Sequence, residues 1–138
     1  KRGDFDVQLF QEWLIPQLSK VKAVSQSKDE TDYQLFAHCS EKTAVTSTHA
    51  DWIKIFNHLG LNLTSQEVGC CGMAGTYGHE VKNVDNSKSL YSMSWQPKLA
   101  KQSANQILAT GYSCRSQVKR FDNFKPLHPV QVIANALN

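Results

Sequence analysis

Trp52, Ile55, Phe56 and Leu59 recur at i, i+3, i+4 and i+7, the spacing of one apolar helix face. Thr48 and Asp51 suit the start of that helix, and Gly60 suits a left-handed cap at its end. A similar face, Leu9, Phe10, Trp13 and Leu14, predicts a first helix from about Asp4 to Ile15, stopped by Pro16. Residues 19–32 are polar and read as a helix tail followed by a loop. The apolar run 33–38 (YQLFAH), the alternating segment 61–68 (LNLTSQEV) and residues 106–111 (QILATG) predict three strands. Residues 79–94 read as helical with a break near Asp85, and Pro97 suits the first turn of a helix running to about Asn105. His128 and Pro129 open a last helix with Val130, Ile133, Ala134 and Leu137 on one face.

Strands alternating with helices imply parallel pairing, and so a small layered α/β, Rossmann-like domain with a short parallel sheet flanked by helices. The 138 residues fit one domain, able to bury roughly 65–70% of its unfolded surface. In such a fold functional groups gather where strands end and turn into helices. All four cysteines obey that rule: Cys39 follows the first strand, Cys70 and Cys71 the second, and Cys114 the third. The segment GCCGMAGTYGHE places the vicinal pair among Gly69, Gly72, Gly75 and Gly78, and a helix is expected to begin at the pair.

Three chemistries are open to these cysteines. A Cys70–Cys71 disulfide would close a strained ring, whereas a Cys39–Cys114 bridge is geometrically open. With few cysteines and no secretory signal, the chain reads as cytosolic, where structural disulfides are rare. The cysteines could instead be small buried hydrophobes, although glycines on both sides of a Cys-Cys pair have no part in that. In the third reading Cys39, Cys70, Cys71 and Cys114 bind a soft metal or an iron–sulfur cluster, and the turn of Gly69, Gly72 and Gly75 approaches it with backbone amides. The absence of any C-x-x-C leaves zinc and iron–sulfur both open. His38 and His79, next to these cysteines, are candidates for an extra ligand or a supporting hydrogen bond; His49, His58 and His128 are weaker ones.

The net charge is only +3, but Lys98, Lys101, Arg115, Lys119, Arg120 and Lys125 gather in the last third. They read as a solvated face or as a docking surface for an acidic protein, and no nucleic-acid signature accompanies them. No run is long enough for a transmembrane segment. The opening KRGDFD, without Met, is expected to belong to a longer protein.

CCGMAGTYG, with Cys39 upstream in HCSEKT and Cys114 downstream in SCRSQ, resembles the cysteine-rich CCG domain. That domain occurs in heterodisulfide reductase, in the iron–sulfur subunits of glycolate oxidase and anaerobic glycerol-3-phosphate dehydrogenase, and at the C-terminus of long FAD-linked oxidases. KRGDFDVQLFQEWL and the ending SCRSQVKRF…HPVQVIANAL are most similar to the last group, which is D-2-hydroxyglutarate/D-lactate dehydrogenase-like. The resemblance implies that residues 1–138 are a C-terminal redox module of a flavoprotein that also has FAD and ferredoxin-like domains. Such a module would pass electrons from a D-2-hydroxyacid to an acceptor through an iron–sulfur cluster, 4Fe–4S in kind, with zinc as the alternative. No residue reads as a general base or hydride site, so the chain alone is not expected to oxidise substrate. The implied setting is cytoplasmic, with peripheral attachment to the inner face of the membrane as an extension. Gly111 stands where the family's C-x-x-C has its first cysteine, so a five-cysteine cluster cannot form unchanged. That departure leaves room for a zinc-bound or metal-free module that packs on the flavin domain. Thiol chemistry at Cys70 or Cys71 against a disulfide substrate is a third expectation.

Overall fold

Strand β1 (Asp32–Phe36) directs Tyr33 and Leu35 to one side of the sheet and Phe36 to the other, as the period-two pleat requires. In this computed structural model, which describes residues 7–21, 31–37 and 48–137, β1 is the central strand of a parallel sheet ordered β2-β1-β3. β2 spans Asn62–Ser65 and pairs from Asp32↔Asn62 to Leu35↔Ser65. β3 spans Ile107–Ala109 and pairs from Gln34↔Ile107 to Phe36↔Ala109. The outer edge of β3 is met by Leu127, whose carbonyl accepts the Ala109 amide at 3.0 Å. The α/β class and the flanked parallel sheet expected from the sequence are therefore present.

One face of the sheet is covered by α1 (Phe10–Leu14), α2 (Thr48–His58) and α6 (Pro129–Leu137). Leu14, Leu35, Trp52, Ile55, Phe56, Leu59, Leu108, Val132 and Ile133 form its core. The α2 stripe is buried as its spacing predicts, and Gly60 ends the helix at φ 77°, so the Leu61 amide can return to the Phe56 carbonyl at 2.8 Å. The other face is covered by α3 (Val84–Ser94), α4 (Gln96–Leu99) and α5 (Tyr112–Asp122). Its core joins Phe36, Ile107 and Ala109 to Tyr91, Trp95, Val118, Met73, Cys71 and Cys114.

Several boundaries differ from expectation. Within the described residues α1 begins only at Phe10, where Glu12 accepts the Leu9 amide at 3.0 Å, and Pro16 turns the chain into a 3₁₀ helix over Ile15–Lys20. The expected apolar face of α1 is split: Leu14 is buried while Leu9, Phe10 and Trp13 are exposed. The helix expected over 79–94 is preceded by two 3₁₀ turns, Tyr77–His79 and Val81–Asn83, and α3 itself starts at Val84. The helix expected from Pro97 to Asn105 stops at Leu99, and a 3₁₀ turn capped by Ser103 leads into β3. The strands are shorter at their ends than 61–68 and 106–111. No helix among the described residues is long and apolar enough to cross a membrane.

Candidate functional site

The loop after β2 meets α3 and α5 through its backbone carbonyls. Four consecutive ones are each held by a side chain. Trp95 Nε1 donates to Gly69 O at 3.1 Å and Ser94 Oγ to Cys70 O at 2.6 Å. Gln117 Nε2 donates to Cys71 O at 2.9 Å and Ser87 Oγ to Gly72 O at 2.6 Å. Gln117 Nε2 also donates to Ser87 Oγ at 2.8 Å, which ties α5 to α3 beneath the loop. With the carbonyls turned to the helices, amides become available to sulfur: the Gly72 N–H donates to Cys70 Sγ at 3.3 Å, and the Met73 N–H donates to the Cys71 sulfur.

The glycines serve this anchoring. A Cβ on Gly72 (φ 88°) would stand 2.2 Å from the Ser87 carbonyl oxygen, and one on Gly78 would stand 2.6 Å from Ser87 Oγ. A Cβ on Gly69 would stand 3.3 Å from the Ser94 Cβ, and one on Gly75 (φ 57°) would face open space. At Gly72 and Gly78 the space that a Cβ would take is occupied by the protein's own atoms.

Cys71 and Cys114 are both buried, and the two thiols hydrogen-bond to each other; Cys70 is exposed. The Cys114 thiol is the largest influence pulling the Cys71 pKa down to about 7, against the upward push of burial. The Met73 amide, Cys71's own amide and the Ser113 hydroxyl add to the lowering. No helix starts at the Cys-Cys pair, contrary to expectation. The helix N-terminus at the site is that of α5, where Gly111 is the N-cap residue and Cys114 sits in the first turn. Dipole support for a thiolate therefore comes from the helix after β3. Beneath the site, burial and then the Asp122 carboxylate, which accepts the Tyr91 hydroxyl proton, hold the Tyr91 phenol well above its ordinary range.

Cys39 and His38 lie outside the described residues. His79 lines a neighbouring basic cleft. His49 shares a hydrogen bond with Ser65, His58 donates to the Val21 carbonyl at 2.7 Å, and His128 accepts the Val130 amide at 3.1 Å as it starts α6. Among the described residues, no three His, Cys, Asp or Glu side chains group closely enough to hold a metal ion. The donors brought together are the sulfurs of Cys71 and Cys114, with Cys70 next to Cys71 in the chain. Sequence reasoning missed the four anchoring side chains. Ser87 and Ser94 left a faint signal, small polar residues two helical turns apart, and Gln117 left none.

No family model and no solved structure matches this chain. Its sequence is 48% identical over 132 residues to a D-2-hydroxyglutarate dehydrogenase of Pantoea ananatis, covering 96% of the chain. It is 45% identical over 133 residues to that of Escherichia coli. The chain spans 13% of the length of these relatives. A weaker similarity, 28% over 78 residues, links 56% of the chain to 19% of a subunit of the anaerobic glycerol-3-phosphate dehydrogenase of Escherichia coli.

Proposed function

We propose that this chain is the redox module of a longer D-2-hydroxyacid dehydrogenase, carrying electrons between a flavin domain elsewhere in the parent and an acceptor. The carrying observation is the meeting of Cys71, from the loop after β2, with Cys114, from the first turn of the helix after β3, and the amides that donate to sulfur. Similarity over 96% of the chain to proteins named D-2-hydroxyglutarate dehydrogenase supports the parent's identity. The donor chemistry fits a thiolate-bound guest: a Cys71 thiol lowered to about 7 ionises readily, and soft sulfur selects zinc or iron–sulfur. Cys71 and Cys114 would hold an iron–sulfur cluster together with Cys70 and Cys39, as in the CCG domain that the chain resembles. Such a cluster supplies one-electron storage and transfer. The protein's part is to fix the two buried sulfurs, keep water from them with Phe36, Trp95 and Val118, and donate amides that tune the potential.

Anaerobic purification of the full-length parent, with iron and acid-labile sulfide assays and EPR, tests this reading. The expected result is both elements in the wild type and their loss in Cys71→Ser. An active parent with neither element would overturn it.

A second reading is a structural module carrying zinc or no metal at the cysteines. It is favoured by Gly111 at the expected fifth cysteine and by an exposed apolar strip on α1 and the residues just before it. Val7, Phe10 and Trp13 are 62%, 39% and 49% exposed, and the Phe10 and Trp13 rings lie 5.8 Å apart. Such a strip suits packing against another part of a longer chain. One zinc per chain and unchanged flavin reoxidation in Cys71→Ser would establish this alternative.

A further inference from the structure

The polar face of α5 forms the wall of a cleft of about 520 Å³ next to the sulfur site. Arg115, Lys119 and Arg120 come from that helix, Lys125 from the segment after it, and Met73 and Tyr112 supply apolar surface. Among the described residues that line the cleft, none is acidic. A solvated basic face would be convex, with each cation free to reach water. This one is concave and of a size typical of small-molecule sites. Arg120 already spends one guanidinium nitrogen on the Gly78 carbonyl at 2.6 Å, which fixes it against the glycine turn. Arg115 is held less completely: its Nε is buried and has no hydrogen-bond partner among the described residues. A buried guanidinium N–H without an acceptor is costly, and its natural partner is a carboxylate or phosphate oxygen.

We propose that this cleft binds a small anion bearing two or more acidic groups, a dicarboxylate or a phosphate compound. The Arg115 guanidinium meets one group, and Lys119 and Lys125 neutralise the other. Met73 and Tyr112 cover the carbon skeleton. The site is distinct from the sulfurs, and the inference does not depend on what they hold. Met73 joins the two, since its side chain lines the cleft while its amide donates to Cys71.

The test is lysine footprinting on the full-length parent protein, by acetylation and peptide mass spectrometry at low salt, with pyrophosphate and with glutarate as separate probes. The expected result is slower labelling of Lys119 and Lys125, with Lys98 and Lys101 outside the cleft unchanged. Protection by both probes, or by only one, supports the site and tells which acidic group it prefers. Arg115→Gln should raise the concentration needed for protection of Lys119 and Lys125 about tenfold, the loss of one charge-assisted hydrogen bond. Lys119→Gln, at an exposed position that folding tolerates, should do the same for Lys125. Three results would overturn the proposal: no protection by either probe, equal protection of Lys98 and Lys101, or protection by an acidic polyglutamate peptide alone. The last would make the cleft a macromolecular docking surface.

Discussion

The two faces of the sheet are built from different materials. On the α1, α2 and α6 side, side chains such as Leu35, Trp52, Ile55 and Phe56 fill the interior, each removing roughly 1.5–3 kcal/mol worth of apolar surface from water. On the α3, α4 and α5 side, the interior includes two thiols, a fully buried Gln117 and Ser87, and a tyrosine bonded to Asp122. The first face is held by shape. The second is held largely by a hydrogen-bond network through Gln117 Nε2, Ser87 and Tyr91, although Gln117 Oε1 is buried with no partner among the described residues. Such networks specify one geometry at the expense of tolerance. The comparison teaches that this small domain assigns stability to one face and placement of chemical groups to the other.

The largest expected effect lies on the first face. Phe56→Ala, which also removes the edge contact with Tyr33, should cost about 3–5 kcal/mol in thermal or urea unfolding. Compared in the metal-stripped protein, Cys71→Ser on the second face should cost only about 1 kcal/mol, while it abolishes the chemistry of the sulfur site. Equal losses of stability would break the contrast. Gly72→Ala should come next, at about 3 kcal/mol, because its Cβ meets Ser87 backbone at a positive φ; Gly75→Ala, with open space, should cost about 1–2 kcal/mol. Differential unfolding of those two variants separates packing from backbone strain. Gln117→Leu should cost about 2 kcal/mol by releasing the Cys71 carbonyl and Ser87.

The smallest expected effect concerns pH. Burial first, and then the Arg115 charge, lowers the His128 pKa below its ordinary 6.5. The unfolded chain therefore takes up the proton more readily than the folded one. The stability tied to neutral His128 is complete above pH 6.5 and is lost as pH falls from there through the folded-state value. His128→Gln should flatten that part of a stability–pH curve, and an unchanged acid limb would remove His128 from the account of α6.

What could be read in the sequence follows the same division. The first face announces itself, since a 3.6-residue apolar period and a glycine at the helix end need no partner to be recognised, and α2 with Gly60 matches. The parallel sheet follows from the alternation of elements. α1 departs from its pattern because its apolar residues are shared between the core and an exposed strip. On the second face the cysteines and glycines draw attention, but what arranges them comes from α3 and α5, some 15 to 46 residues away. Serine and glutamine carry no periodic signal that distinguishes a buried anchor from a solvated side chain. For the same reason the sequence points to a helix at the Cys-Cys pair, whereas the dipole at the site belongs to α5.

The central claim is that the loop after β2 and the first turn of α5 bring Cys71 and Cys114 into contact. It is tested most directly by treating the metal-stripped full-length protein with dibromobimane, which bridges only neighbouring thiols, and mapping the linked peptides. The expected product joins Cys71 to Cys114. A cross-link confined to Cys70 and Cys71, with Cys114 left unmodified or singly labelled, would contradict it.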